Sequence, residues 1–259
     1  MVKLLTVIIP TYNNTKGIEY LLNYFKNKQY EVVVVDNKNK NLGFAGGVNK
    51  GAENIETKWM LILNDDIEFE DEILNNKSQI TNKSQILNIK REKHDTLEAL
   101  VRFAEEKKLD AVSPVLRNLD GGVENYGYKV LPYGKIELIK ELRITDCELD
   151  GLTAACLLVK TKVFKKLGGF DESFFAYLED VDFFLRFKKT GYKMGIADIE
   201  VLHNHMTTTK TMGNFKARQD MVNWWRLFLK HPDKFKFNLD FIVERLRNIS
   251  GYIKATFRT

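Results

Sequence analysis

Three apolar runs constrain this chain most: KLLTVIIP (3–10), YEVVVVDN (30–37) and KWMLILNDD (58–66). None alternates with polar residues, which is the pattern of a strand covered on both faces. Between the first two, Ile18, Leu21, Leu22 and Phe25 have helical spacing. Between the second and third lie a glycine-rich loop, NLGFAGG (41–47), and room for a short helix. Buried strands alternating with helices imply a parallel sheet. Ligands of such sheets bind beyond the carboxyl ends of the strands. Those ends read Thr11–Tyr12–Asn13, Asp36–Asn37 and Asn64–Asp65–Asp66, all polar and two of them acidic.

Further along, DTLE (95–98) is a capping box opening a helix with Leu97, Leu100, Val101 and Ala104 on one face. LDAVSPVL (109–116), GLTAACLLVK (151–160) and GYKMGIADIEVLHNH (191–205) read as further strands. NNKSQI and TNKSQI repeat back to back inside 71–94, an expected exposed insertion. The 259 residues are 44% hydrophobic and 29% charged, enough for one large domain or a domain with an appendage. No apolar stretch is long enough to span a bilayer, and Pro10 breaks the apolar start, which reads as a strand rather than a signal peptide. Cys147 and Cys156 make no zinc or redox motif, so a reducing, cytoplasmic setting is expected. Residues 216–259 hold ten Lys/Arg against four Asp/Glu. The excess positive charge therefore belongs to the tail, which argues against a nucleic-acid-binding role.

The stretch FFAYLEDVDFFLRF (174–187) sets three acids among aromatics. At about 100° per residue, Glu179, Asp182 and Arg186 form one stripe, expected as a solvated, salt-bridged face. Asp180 falls elsewhere, with Phe183, Phe184 and Phe187 around it. It is either a first-turn acid of the helix or a carboxylate held in a pocket as a general base. Asn64–Asp65–Asp66 suits a hard divalent cation that in turn binds a diphosphate, although such clusters also make turns. Asp36 suits a ribose hydroxyl or a base N–H, but the chain has PTYNN where a dinucleotide fold needs G-x-G-x-x-G. His203 and His205 alternate, so one of them reaches the strand-end site from an extended segment. His203 follows the apolar run directly and is the better placed.

Taken in order, VIIPTYN, VVVVDN, NLGFAGG with Asn49, LILNDD, ACLLVK, GGFDESFF, EDVDFFLR and a terminal His resemble the inverting family 2 glycosyltransferases of the GT-A fold, most like the rhamnosyltransferase-type members. The likeness runs over residues 4–70 and 109–205. It implies a mostly parallel α/β sheet flanked by helices. The nucleotide half would span about 1–116 and the acceptor half about 117–215, with a helical tail at 216–259. By position it implies nucleotide contacts at Thr11, Tyr12, Asp36, Asn41, Gly43, Asn49 and Asp65. It further implies Mg²⁺ or Mn²⁺ at Asp66 with His203, a general base at Asp180, and support from Glu179 and Asp182. The implied reaction moves a sugar from a UDP-, dTDP- or GDP-linked donor to a saccharide or lipid-linked acceptor. A nucleotidyltransferase is the rival enzyme, though its basic phosphate loop is missing after the first strand. A silent nucleotide- or carbohydrate-binding scaffold is the rival outside enzymes.

The tail has its own signature. Met221, Trp224, Trp225 and Phe228 share a helical face with Leu229 at its edge. That face either packs on the catalytic domain or, with its basic neighbours, contacts a membrane surface peripherally.

Overall fold

The computed structural model describes residues 4–69, 95–140, 149–204 and 214–257. The 71–94 insertion, Cys147 and His205 lie outside these residues. The first strand, β1 (Leu5–Thr11), is buried at every position. It pairs in parallel with β2 (Glu31–Asp36) on one side and β3 (Trp59–Leu63) on the other, with Thr11 opposite Asp36 and Ile8 opposite Ile62. The sheet continues through strands contributed by β4 (Ile67–Glu68), β5 (Ala111–Arg117), β6 (Val123–Asn125), β9 (Cys156–Lys160) and β10 (Met194–His203). Its order is β2-β1-β3-β9-β5-β10-β4, with β6 paired to β5. Between β6 and β9 the chain makes a separate antiparallel hairpin, β7 (Tyr128–Leu131) with β8 (Lys135–Leu138).

Both faces of the sheet are covered, which explains the unbroken apolar runs. Ile8, Met60, Ile62, Leu157 and Val159 point into one core cluster. Their neighbours Val7, Ile9, Leu61, Leu63 and Leu158 point into the other. Each fully buried Leu, Ile or Val there contributes about 1.5–3 kcal/mol. Helices α1 (Thr15–Phe25) and α3 (Thr96–Glu106) cover the second cluster. α3 starts at the expected N-cap: Asp95 accepts from Leu97 N at 2.8 Å and Glu98 N at 3.4 Å, and Leu97, Leu100, Val101 and Ala104 are buried. On α1 the apolar spacing is only partly used, since Leu21 and Phe25 are buried while Leu22 is exposed. The first cluster is covered by α2 (Gly43–Ala52), α4 (Thr161–Lys166) and α5 (Glu179–Lys189).

Two expectations change. The glycines of NLGFAGG are not a loop; they begin α2 and let it lie against the sheet. A Cβ on Gly51 would stand 2.5 Å from Ile8 Cγ2, and one on Gly47 would stand 3.0 Å from Pro10 Cβ. The sheet also contains β9 running antiparallel to both β3 and β5. A hairpin rather than a crossover helix precedes β9, so nothing forces it parallel.

The tail forms α6 (Phe215–Lys230) and α7 (Leu239–Thr256). Trp224, Leu227 and Phe235 pack with Tyr128, Val130, Val181 and Leu185 in a third cluster. Here α5 lies between the sheet, through Phe183, Phe184 and Phe187, and the tail, through Val181 and Leu185. Of the expected α6 face Trp224 is core and Phe228 packs half-buried against it, while Trp225 and Leu229 stay exposed. No helix among the described residues is long and apolar enough to cross a membrane.

Candidate active site

A cavity of about 620 Å³ opens where the carboxyl ends of β1 and β3 meet the start of α5 and the two tail helices. Thr11, Tyr12, Asn41, Gly43, Asp65 and Asp66 line one part of it; Glu179, Asp180 and His203 line the rest of the expected set. Asp36, Asn49 and Asp182 are not in its wall. Asp36 is exposed at the end of β2 and accepts from Lys38 N at 2.8 Å. Asn49 is a staple: its amide donates to Phe170 O at 2.8 Å and its oxygen accepts from Phe170 N at 2.9 Å, joining α2 to the GGFDE turn.

The start of α5 is unusual. Phe175, Tyr177 and Leu178 have φ of 61°, 66° and 69°, positive values that cost about 1–3 kcal/mol for each non-glycine residue. Asn223 of α6 offsets it. Its fully buried amide donates to the carbonyls of Phe174 (3.0 Å), Ala176 (2.9 Å) and Tyr177 (2.7 Å). Phe175 O accepts from Ala45 N at 3.1 Å, and a Cβ on Gly43 (φ 71°) would collide with that same carbonyl at 2.3 Å. The bent segment thereby turns Glu179 and Asp180 toward the cavity.

Asp180 Oδ1 accepts from Val181 N at 2.8 Å and Oδ2 from Ala154 N at 3.4 Å. Burial pushes its carboxyl up from 3.8 to about 6, against the pull of these amides. Glu179 is buried, and its Oε2 has no hydrogen-bond partner. Burial first and the Asp180 charge second hold its carboxyl well above the usual range. The expected solvated stripe of Glu179, Asp182 and Arg186 is therefore corrected. Helical spacing fixed their mutual angles, but the tail covers that side. Asp182 is fully buried, bonded to Arg186 Nε and His231 Nε2 at 2.8 Å each and to Lys230 Nζ at 3.0 Å. Burial would raise its carboxyl, but His231, Arg186 and Lys230 bring it down to about 2. Arg186 also donates to Leu167 O and Gly169 O, at 2.5 Å and 2.9 Å.

At the strand ends, Asp65 is consumed locally. Thr11 Oγ1 donates to Oδ2 at 2.5 Å, and Asn14 Nδ2 donates to Oδ1 at 3.0 Å, tying β1 to β3. Asp66 differs: its Oδ1 is buried and lies 3.2 Å from His203 Nε2 without a well-formed hydrogen bond. His203 Nδ1 is 2.9 Å from Glu124 Oε2. Burial alone would lower the imidazole, but Asp66 and Glu124 raise it to about 9. Among the described residues no group of three or more His, Cys, Asp or Glu is arranged to hold a metal ion. The incompletely bonded Asp66 oxygen fits a cation. His203 presents Nε2 to that same oxygen while Glu124 holds its Nδ1, the outer-partner arrangement common to histidines beside a metal.

Glu124, Asn223 and Tyr128, whose buried hydroxyl is unpartnered in the cavity wall, were not foreseen from sequence. The acid in V-E-N carried no motif, and Asn223 stood unremarked beside two tryptophans.

No protein-family model matches the chain. Over 103 residues it is 34% identical to the N-acetylglucosaminyl-diphospho-decaprenol L-rhamnosyltransferase of Mycobacterium tuberculosis, a match covering 35% of this chain and 34% of that protein. Over 116 residues it is 27% identical to rhamnosyltransferase WbbL of Escherichia coli, covering 39% and 44%. The matched region spans about a third to under half of these curated relatives. Among solved structures it is similar to the mannosyltransferase PcManGT from Pyrobaculum calidifontis, in complex with GDP-Man and Mn²⁺ (TM-score 0.58, 17% identity, 99% of this chain and 74% of that one). It is also similar to S. aureus TarS (TM-score 0.55, 17% identity, 98% and 43%). The fold is the GT-A-like α/β fold of glycosyltransferases, and the chain is rhamnosyltransferase-like in the region of sequence match.

Proposed function

We propose that the chain transfers a sugar from a nucleoside-diphosphate donor to an acceptor hydroxyl with inversion, in glycan assembly. One observation carries this most: a carboxylate, Asp180, faces a ligand-sized cavity with its proton affinity lifted to about 6. An acceptor hydroxyl gives its proton to Asp180 as its oxygen bonds to the anomeric carbon. The bond from that carbon to the diphosphate breaks on the opposite side, and the nucleoside diphosphate leaves with the electron pair. A base of this kind contributes on the order of 10²–10⁴ in rate. Glu179 lies beside it, and burial first and the Asp180 charge second hold its carboxyl well above the usual range.

Thr11, Tyr12, Asn41 and Gly43 form the wall that would hold the nucleotide. Asp66 is the residue that would hold Mg²⁺ or Mn²⁺, and such an ion would neutralise the departing diphosphate. The mannosyltransferase neighbour's complex with GDP-Man and Mn²⁺ supports that class of ligand. A lipid-linked acceptor is supported by the mycobacterial relative's name and by α7. There Leu239, Ile242, Leu246, Ile249, Ile253 and Phe257 form one exposed apolar stripe. Basic residues of the tail, Arg247 and Lys254 among them, flank it. Such a helix lies on an anionic membrane surface, apolar side down. A buried free thiol at Cys156 fits a reducing, cytoplasmic-side location.

The test is a panel of UDP-, dTDP- and GDP-sugars scored for donor turnover and for product stereochemistry. Inverted product with one donor class, abolished in Asp180→Asn, is the expected result. Turnover that survives Asp180→Asn undiminished would remove the assignment.

A further inference from the structure

One acid of the cavity has no part in the transfer chemistry or in holding the fold. Asp220 of α6 lines the space that Asp180 faces. It is half-buried, and among the described residues no group donates a hydrogen bond to it or forms an ion pair with it. Burial raises its carboxyl, and the Lys216 charge opposes the rise. Glu244, the other acid of the tail wall, is bonded to Arg247. A half-buried carboxylate without donors forgoes the hydration it would have in water, and its two oxygens can only accept. Packing gains nothing from an acid at this place.

Its surroundings are aromatic. Four residues either way on the same helix face lie Lys216 and Trp224, and both line the cavity. Lys216 directs its Nζ over the Tyr177 ring, 5.3 Å from the centroid, rather than into an ion pair with Asp220. The Phe215 ring stands 5.9 Å from Phe175 and 6.3 Å from Tyr177, centroid to centroid. All three rings are half-buried and line the cavity. Phe175 and Tyr177 belong to the positive-φ segment, so the backbone strain that aims Asp180 also places two of the rings. Open ring faces beside an acceptor-only carboxylate match the mixed surface of a sugar. Its C–H groups lie against the negative face of an aromatic ring, and its adjacent hydroxyls donate to carboxylate oxygens. A carboxylate repels a diphosphate, so this wall suits the acceptor rather than the donor's phosphates.

We propose that Asp220 determines acceptor specificity by accepting hydrogen bonds from two adjacent hydroxyls of the acceptor sugar, whose ring rests on Phe215 and Tyr177. This rests on the sugar-transfer reading and adds the residue that selects among acceptors. A ring without the adjacent pair leaves the carboxylate unbonded and is rejected on that account.

The probes are methyl glucoside, methyl mannoside and methyl galactoside, each against its 3-deoxy analogue, which has no two adjacent ring hydroxyls. Binding to the full chain is followed by NMR titration with a nucleoside diphosphate at saturation. In wild type at least one parent sugar should bind about tenfold or more tightly than its 3-deoxy analogue, the margin of a hydrogen bond to a charged group. Asp220→Ala loses no internal partner, so it keeps the fold, and it should bind parent and analogue alike. Phe215→Leu should weaken both sugars by the same factor and keep the preference. The proposal is overturned if wild type shows no preference for any parent sugar, whether by equal affinity or by binding none of them. It is overturned equally if the preference survives in Asp220→Ala, or if that variant loses nucleoside diphosphate affinity to the same extent. Turnover of the donor panel by wild type reads the transfer function separately, so an absent preference with intact turnover counts against Asp220 alone.

Discussion

Replacing Asp180 by Asn should destroy activity and at the same time stabilise the protein at neutral pH. The carboxyl ordinarily ionises at 3.8 and in the folded chain at about 6. That gap corresponds to about 3 kcal/mol of folding stability forgone once the group is ionised in both states. Part of it is lost again in the variant. Both Asp180 oxygens accept amide protons, at 2.8 Å and 3.4 Å, and an Asn side chain can serve only one, a loss of about 1 kcal/mol. The expected net gain is about 1–2 kcal/mol. Its sign follows from linkage. A carboxyl raised on folding binds its proton more tightly in the native state, so its contribution is fully present below about 4 and is lost as pH rises through about 6. The variant should therefore exceed wild type above pH 6, and its advantage should disappear below pH 4. Urea unfolding at pH 3.5, 5 and 7.5 measures this, alongside turnover at each pH. In wild type the rate should climb with pH through about 6, as the base deprotonates. If Asp180→Asn is inactive but less stable than wild type at pH 7.5, the carboxylate is not desolvated and the account of its basicity is wrong.

Four other outcomes are expected. Asn223→Ala should cost about 1–3 kcal/mol, since the carbonyls of Ala176 and Tyr177 lose the Asn223 amide and that of Phe174 keeps only Ala176 N, and should lower kcat more than it raises the donor KM; wild-type turnover would show that the bent segment holds itself. Asp182→Asn should remove stability at pH 7, and wild type should lose the same contribution as pH falls from about 4 toward 2, because this carboxyl is depressed on folding; acid titrations of both proteins followed by circular dichroism check it. Chelation should weaken binding of a nucleoside diphosphate to wild type but leave Asp66→Ala unaffected, and equal affinity with and without chelator in wild type would mean that Asp66 works without a cation. Anionic vesicles should carry the protein at low salt and release it at high salt, with Leu246→Glu/Ile253→Glu failing to float; flotation unaffected by those charges would rule out the α7 stripe.

How much of this was legible in the sequence depends on the range of the signal. The strands β1, β2 and β3 follow from unbroken apolar runs, and their polar ends mark the cavity because topology puts strand ends there. The α3 cap was readable because a capping box is four residues long. Periodicity set the relative angles of Glu179, Asp182 and Arg186, but not which way the helix faced, and so the stripe was expected in water when the tail buries it. His203 was singled out by its place after a strand. Its partner Glu124, 79 residues away, had no local mark, and the staple from Asn49 to the GGFDE turn had none either. The glycines of NLGFAGG suggest a loop by composition, while their use is spatial, admitting Ile8 and Pro10 against α2.

The Asn223 clamp has a consequence for the order in which the molecule is completed. The segment it grips precedes it in the chain, so Asp180 leaves the ribosome before the residue that aims it. Until α6 docks, the positive-φ segment is held only from the α2 side, through Ala45 N on Phe175 O, and the carbonyls of Ala176 and Tyr177 lack the Asn223 donor that completes the aim of Asp180. The sheet and its strand-end pocket can form before then from residues already synthesised. The nascent protein would therefore bind before it can catalyse, acquiring its reactivity with the helices that also carry the surface-seeking stripe.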